Sequence, residues 1–156
     1  MKLKMTQEER MLLIKDLSAR LPYAVTVEHT SGFRGTLHDM TVHHMYDDND
    51  NVYDAICYTD FFGDEDSIYI EYFKPYLFPL SSLTEEQRND ISKLLIDTQN
   101  TFSPYGEINT KGCDNLFVCS VKQSNALINY CLMHHLDING LIEKGLAIDA
   151  TGLNIY

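Results

Sequence analysis

The chain has 156 residues, 44% of them hydrophobic, with 12 Lys/Arg against 23 Asp/Glu and a formal net charge of −11. That length and apolar fraction suit one globular domain and argue against wholesale disorder. Such a charge repels nucleic-acid phosphate, which disfavours direct DNA or RNA binding, and the uninterrupted apolar runs are too short to span a bilayer.

The charge is unevenly placed. Residues 1–20 carry five Lys/Arg against three acids, residues 21–80 carry two (Arg34 and Lys74) against eleven, and residues 81–156 carry five against nine. The acidic middle suits a basic protein partner, or a mimic of nucleic acid in front of one; solubility is the plainer reading. Residues 1–9 are charged and lack the apolar core of a signal peptide. The four cysteines (Cys57, Cys113, Cys119, Cys131) form no C-x-x-C pair, so neither a zinc knuckle nor a redox centre is indicated. If residues 113–119 are extended, their ends lie ~20 Å apart, too far for a disulfide, whose Cα atoms lie within ~7 Å. The expectation is a cytoplasmic chain with free thiols and no cofactor.

Thr6-Gln7-Glu8-Glu9 has the capping-box pattern. Leu13, Ile14, Leu17 and Leu21 follow at helical spacing, Arg20 suits the helix dipole, and Pro22 stops the helix near Leu21. From Tyr23 the period changes to two: Tyr23, Val25 and Val27 alternate with Ala24, Thr26 and Glu28, as in a half-buried strand. Ser31-Gly32 reads as a turn, 33–45 as a second strand with Gly35 as a bulge, and 52–59 as a third. Acidic loops at 47–51 and 60–66 flank that third strand, and residues 67–73 read as a fourth. Lys74-Pro75-Tyr76-Leu77-Phe78-Pro79 then carries two prolines, which disqualify it as a central strand, so an extended strap across the core is expected. Thr84 and Gln87 repeat the capping box and open a helix to about Asp97. Residues 99–112 look irregular, 116–119 suit a short strand, and Ser120 with Gln123 opens a helix to about His135. The tail, 141–156, is apolar enough to pack.

These elements predict an α+β protein: an N-terminal helix, a four- to five-stranded antiparallel meander or small open barrel, and two C-terminal helices. A single domain over 1–156 is expected, with a helix in 1–22, sheet and strap in 23–83, and a helical part in 84–156.

Motifs for chemistry are sparse. Asp47-Asp48-Asn49-Asp50-Asn51 opens like a calcium loop, but Val52 stands where the sharp turn needs Gly and Tyr58 where a bidentate Glu is needed. His43 and His44 are adjacent and face opposite ways on a strand; His38 and His44 share a face but lie too far apart to chelate together. His134 and His135 close a helix, where the dipole favours imidazolium. A composite centre from these histidines and an Asp is the basis of one alternative, a small histidine-based metal-dependent hydrolase. Cys131 on an apolar helix face reads as a small buried residue rather than a nucleophile. The distinctive feature is ten tyrosines, several beside acids (Tyr46, Tyr53, Tyr58, Tyr69, Tyr72). Tyrosine brings area and a hydrogen bond at low entropy cost. The leading expectation is therefore a non-enzymatic protein-interaction module, with Asp47, Asp48, Asp50, Tyr53, Phe61 and Phe62 as its surface and no catalytic, cofactor or metal residue. A second alternative is an acidic anti-defence protein that mimics nucleic acid. The sequence leaves the partner and the oligomeric state open.

Three stretches carry a resemblance: Lys15-Asp16-Leu17-Ser18-Ala19-Arg20-Leu21-Pro22-Tyr23, residues 74–86 beginning Lys74-Pro75-Tyr76-Leu77-Phe78-Pro79, and residues 134–147 beginning His134-His135-Leu136-Asp137-Ile138-Asn139-Gly140. In this order they resemble an uncharacterised family of small proteins from gut anaerobes, often encoded in prophage or mobile-element neighbourhoods. The resemblance implies a cytoplasmic accessory protein, phage-linked, and no catalytic residues to carry over.

Overall fold

A computed structural model describes residues 5–47, 50–60, 68–96 and 121–156; at 44–47, 50–53, 68, 95–96 and 121–123 only the backbone is described. Among the described residues the architecture is α+β, with an N-terminal helix, a mixed sheet and two further helices. The chain forms two compact units, one of residues 1–82 and 132–156, the other of residues 83–131.

In the first unit, α1 (Gln7–Arg20) starts at the expected box. Thr6 Oγ1 accepts from the Glu9 amide (3.2 Å) and Glu9 Oε2 from the Thr6 amide (2.8 Å). Pro22 turns the chain out of the helix through a 3-10 turn, Leu21–Tyr23, and Ala24 adopts a left-handed φ of 51°. Strand pairing therefore begins at Thr26, three residues later than the alternation suggested.

The sheet order is β4-β3-β2-β1-β5-β6, with β1 Thr26–His29, β2 Arg34–Asp47, β3 Asp50–Thr59, β4 Ile68–Tyr69, β5 Phe73–Leu77 and β6 Ile148–Asp149. The first four strands form the expected meander. The sheet is not antiparallel throughout, because β6 lies parallel to β5. The bulge in β2 falls at His38 rather than Gly35: Leu37 pairs with Thr59 and Asp39 with Tyr58, so His38 is the extra residue. It flips the alternation along β2; the side chain of His44 lies outside the described residues.

Two expectations about residues 67–83 are corrected. The predicted fourth strand is split, because Ile70–Tyr72 is a 3-10 turn between β4 and β5. The proline-bearing segment is an interior strand, with β5 between β1 and β6. The ladder explains how Pro75 is tolerated. The Thr30 amide donates to the Tyr72 carbonyl (2.9 Å), so bonded pairs fall there and at Glu28–Lys74, while Pro75 faces Val27 at a non-bonded position. Its nitrogen points away from β1, and β6 pairs only with Tyr76 and Leu77, so no ladder bond is lost.

Only that 3-10 turn links β4, at one end of the sheet, to β5. Four strand spacings in a flat sheet would cover ~19 Å, more than the ~14 Å four residues reach. The sheet therefore curls. α1 covers one of its faces, with Leu13, Ile14 and Leu17 packed among Val25, Val27, Leu37, Ala55, Cys57, Ile70, Phe73, Leu77 and Leu141.

The second unit holds α2 (Glu85–Ile96) and most of α3 (Val121–Met133). α2 opens on the second expected box, with Thr84 and Gln87 exchanging side-chain to backbone bonds of 3.0 and 3.1 Å. The Tyr130 hydroxyl approaches Asp90 at 3.4 Å. The third capping box, at Ser120, and the strand at 116–119 lie outside the described residues.

Candidate functional site

The six expected surface residues are only partly visible. Asp47 ends β2 and Asp50 opens β3, and the two pair across the hairpin, so the strands run further into the acidic stretch than expected. Tyr53 lies opposite His44 on β3. The side chains of Asp47, Asp50 and Tyr53, and the whole of Asp48, Phe61 and Phe62, lie outside the described residues. Exposed aromatics occur elsewhere in the first unit: Phe33 (48%), Tyr69 (47%) and Tyr72 (39%). Phe33 closes the β1–β2 turn, its carbonyl accepting from the His29 amide (2.8 Å), and the Thr30–Tyr72 backbone bond fixes Tyr72 beside that turn. The His29 ring lies 6.0 Å from Tyr72 and 5.4 Å from Phe73.

On β1 and its two neighbours a polar group is built around Glu28. It accepts from the Tyr76 hydroxyl and from Arg34 Nε (3.0 Å), and the Arg34 guanidinium lies 5.0 Å from the centre of the Tyr76 ring. The Tyr76 hydrogen bond, then Arg34, hold the Glu28 carboxyl below its ordinary pKa. Burial first, then Glu28, raise that of Tyr76. Arg34 and Lys74, the two cations of residues 21–80, flank Glu28 in register across the sheet.

Among the described residues two ionic clusters are buried. Arg10 of α1 donates to Asp54 (2.6 Å) and Glu71 (3.0 Å), pinning the helix to β3 and to the 3-10 turn before β5. Arg20 grips Asp16 one turn back with two bonds (2.6 and 3.0 Å), and both side chains are fully buried. Its dipole role was the smaller part of the story. Arg20 also donates to the Leu136 carbonyl (2.8 Å), and Asn139 Nδ2 donates to Asp16 (2.8 Å), so α1 is tied to residues 136–139. Asp137 accepts from the amides of Leu141 and Ile142 (2.8 and 2.9 Å), which organises the tail that follows.

That tail clasps β5. The Phe78 amide donates to the His135 carbonyl (2.9 Å) and the Asp137 amide to the Phe78 carbonyl (2.8 Å); farther on, the Ala150 amide donates to the Leu77 carbonyl (2.8 Å). Tyr156 returns to the sheet. Its oxygen accepts from the Thr26 amide (3.2 Å) and its hydroxyl donates to the Tyr76 carbonyl (2.7 Å). Its ring stacks on His135, with centroids 3.8 Å apart and planes 8° from parallel. Tyr156 as a whole stays 47% exposed, but its hydroxyl is enclosed between strands, and burial pushes its pKa up to about 12.

His135 is buried, with a left-handed φ of 55° and no hydrogen-bond partner at Nδ1. Burial, then Arg20, lower its pKa to about 4. The expected imidazolium at the end of α3 is thus corrected: the loss of hydration outweighs the helix dipole. His38 and His43 are exposed, and His29 Nδ1 meets Ser31 Oγ at 2.5 Å. Among the described residues no three His, Cys, Asp or Glu side chains are grouped to hold a metal ion. Cys57 is buried, and burial, reinforced by Asp54, pushes its thiol up to about 12, far from a nucleophile's range. No described helix is long and apolar enough to cross a membrane. The buried Asp16–Arg20 pair was visible in the sequence as an i, i+4 spacing; the role of Tyr156 had no local signal. Comparison of the chain with protein-family models, curated proteins and solved structures returns no match.

Proposed function

We propose that the chain is a non-enzymatic protein-interaction module whose partner is a basic protein. The observation that carries this reading is the trio Phe33, Tyr69 and Tyr72, large aromatics kept exposed on the sheet unit. The His29–Phe33 and Thr30–Tyr72 backbone bonds fix the main chains of two of them at the β1–β2 turn, which lowers the cost of ordering them on binding. Aromatics of this kind supply much of the energy of protein interfaces. Charge names the partner's sign: residues 21–80 hold eleven acids against two cations, and both cations border Glu28. The resemblance to proteins encoded beside prophages adds a context, an accessory role in a mobile element. The acidic hairpin that carries Asp47, Asp48 and Asp50 steers the encounter.

The test is affinity capture with wild-type protein, followed by binding measurements on the purified partner. Phe33→Ala with Tyr72→Ala is expected to weaken binding at least ~10-fold, about 1.4 kcal/mol. Lysine at 47, 48 and 50 is expected to slow association and flatten its salt dependence. A partner whose affinity ignores both sets of substitutions defeats the proposal.

A further inference from the structure

The β1–β5 ladder is interrupted by a side chain. Carried one step beyond Val27–Pro75, the register sets Thr26 opposite Tyr76, where the Thr26 amide would donate straight to the Tyr76 carbonyl. Both groups instead bond the Tyr156 oxygen. One rung farther, Phe78 has left β1 for residues 135–137. Between these two partners of β5 lies a gap one rung long. It offers one donor and one acceptor at its floor, the His135 ring as one wall, and the Phe78 ring 6.0 Å from the occupant.

We propose that this gap is a phenol-recognition slot, specific for a tyrosine side chain or a free phenol, with Tyr156 as its resident and displaceable occupant. The argument is independent of the aromatic docking surface. A phenol is matched on each count. Its oxygen must accept from the Thr26 amide while its proton goes to the Tyr76 carbonyl, which a plain aromatic ring cannot do. A flat ring is selected by the stack on His135, held in its neutral form by burial. The resident can leave without unravelling the unit. Residues 151–154 are exposed, and the tail is anchored independently by the Ala150–Leu77 bond and the buried Ala150 side chain.

The test uses the full chain with Tyr156→Ala and follows amide shifts by NMR. The variant is expected to bind p-cresol with a dissociation constant on the order of 1 mM, ordinary for so small a ligand. Shifts should centre on Thr26, Val27 and His135, and toluene should bind at least ~10-fold more weakly, because it leaves a donor and an acceptor unpaired. Wild-type protein should show the same shifts only at concentrations at least ~10-fold higher, where the ligand displaces Tyr156; their absence there overturns the proposal. N-acetyl-tyrosinamide separates the sources: binding like p-cresol assigns the slot to peptide-borne tyrosine, and failure where p-cresol succeeds assigns it to free phenols. Because the resident is to leave without unravelling the unit, the variant should keep its native spectrum without ligand. An unfolded variant, a folded one indifferent to p-cresol, or equal binding of toluene overturns the proposal.

Discussion

Replacing Asp16 with Leu would leave the Arg20 guanidinium charged and sealed from water. Asp16 supplies two of the three bonds that hold Arg20, and it also receives Asn139. Removing one member of a buried ion pair costs ~3–5 kcal/mol. Arg20 already has Nη1 without a partner, so no spare bond is ready to compensate, and ~4 kcal/mol is a fair central value. At ~2–4 °C per kcal/mol for a chain of this size, the melting temperature should fall by roughly 10–15 °C. Arg20→Met alone should cost a similar amount, by stranding the carboxylate. The double variant removes both charges. It leaves the Leu136 carbonyl with one donor, the Ile138 amide (3.1 Å), a loss of ~1 kcal/mol, while Asn139 is exposed and can turn to water. The pair together should therefore be less damaging than either single change. Urea titrations followed by circular dichroism read this directly, as midpoint shifts at constant slope. Single variants within ~1 kcal/mol of wild type, or a double variant that loses the sum of the two, would refute the argument.

His135 makes stability depend on acid. Its pKa is lowered to about 4 in the folded chain from the ordinary 6.5, so the unfolded state binds the proton first. Its stabilising contribution is complete above pH 6.5 and is lost as pH falls towards 4. The shift corresponds to at most ~3 kcal/mol, and screening by nearby solvent reduces it to ~1–2 kcal/mol; the difference between wild-type and His135→Asn melting curves at pH 7 and pH 4.5 measures it. Cys57 should alkylate with iodoacetamide at pH 8 at least ~10³-fold more slowly in the folded chain than in urea, because a thiol pushed up to about 12 is almost never a thiolate; peptide mass spectrometry reads the site, and fast native labelling would contradict the burial. Thr6→Ala removes a side-chain cap and should cost ~1 kcal/mol, seen as a small midpoint shift in urea with the slope unchanged.

What was legible in the sequence was whatever a short window contains. Thr6 with Glu9 and Thr84 with Gln87 announce their helices because a cap is settled within four residues. The alternation of Val25 and Val27 showed a buried strand face for the same reason. Pro75 misled, because a proline's cost depends on which way its missing N–H points, and the ladder register decides that. His135 misled through its neighbours: the helix end is local, but the Arg20 that disfavours its charge is 115 residues away in the chain. The candidate site was the least legible part. Tyr72 reaches the turn that carries Phe33 only because the Thr30 amide finds the Tyr72 carbonyl, and the Tyr156 slot joins three segments that share no pattern.

The same long-range ties make the sheet unit discontinuous in sequence, and that has a testable consequence. Arg20 to Leu136, Asp16 to Asn139, and Thr26 to Tyr156 all join the first 82 residues to the last 25. The two segments meet at the Phe78–His135 backbone bond (2.9 Å). From there the chain departs through Pro79 and a 3-10 turn ending at Ser82, and it comes back through the last turn of α3, where the His135 amide donates to the Leu132 carbonyl (3.1 Å). Each path is one turn long, so Ser82 and Leu132 each lie within four residues of that bond. A flexible Gly/Ser linker of about eight residues, with an r.m.s. span of ~16 Å, should replace them. The sheet unit should then keep its strand signal and unfold in one cooperative step, because its core residues all lie outside the excised stretch. Closing the shorter loop also lowers the entropy cost of bringing the two segments together. A linker variant that shows no cooperative transition would mean that residues 83–131 are required to hold the sheet unit together.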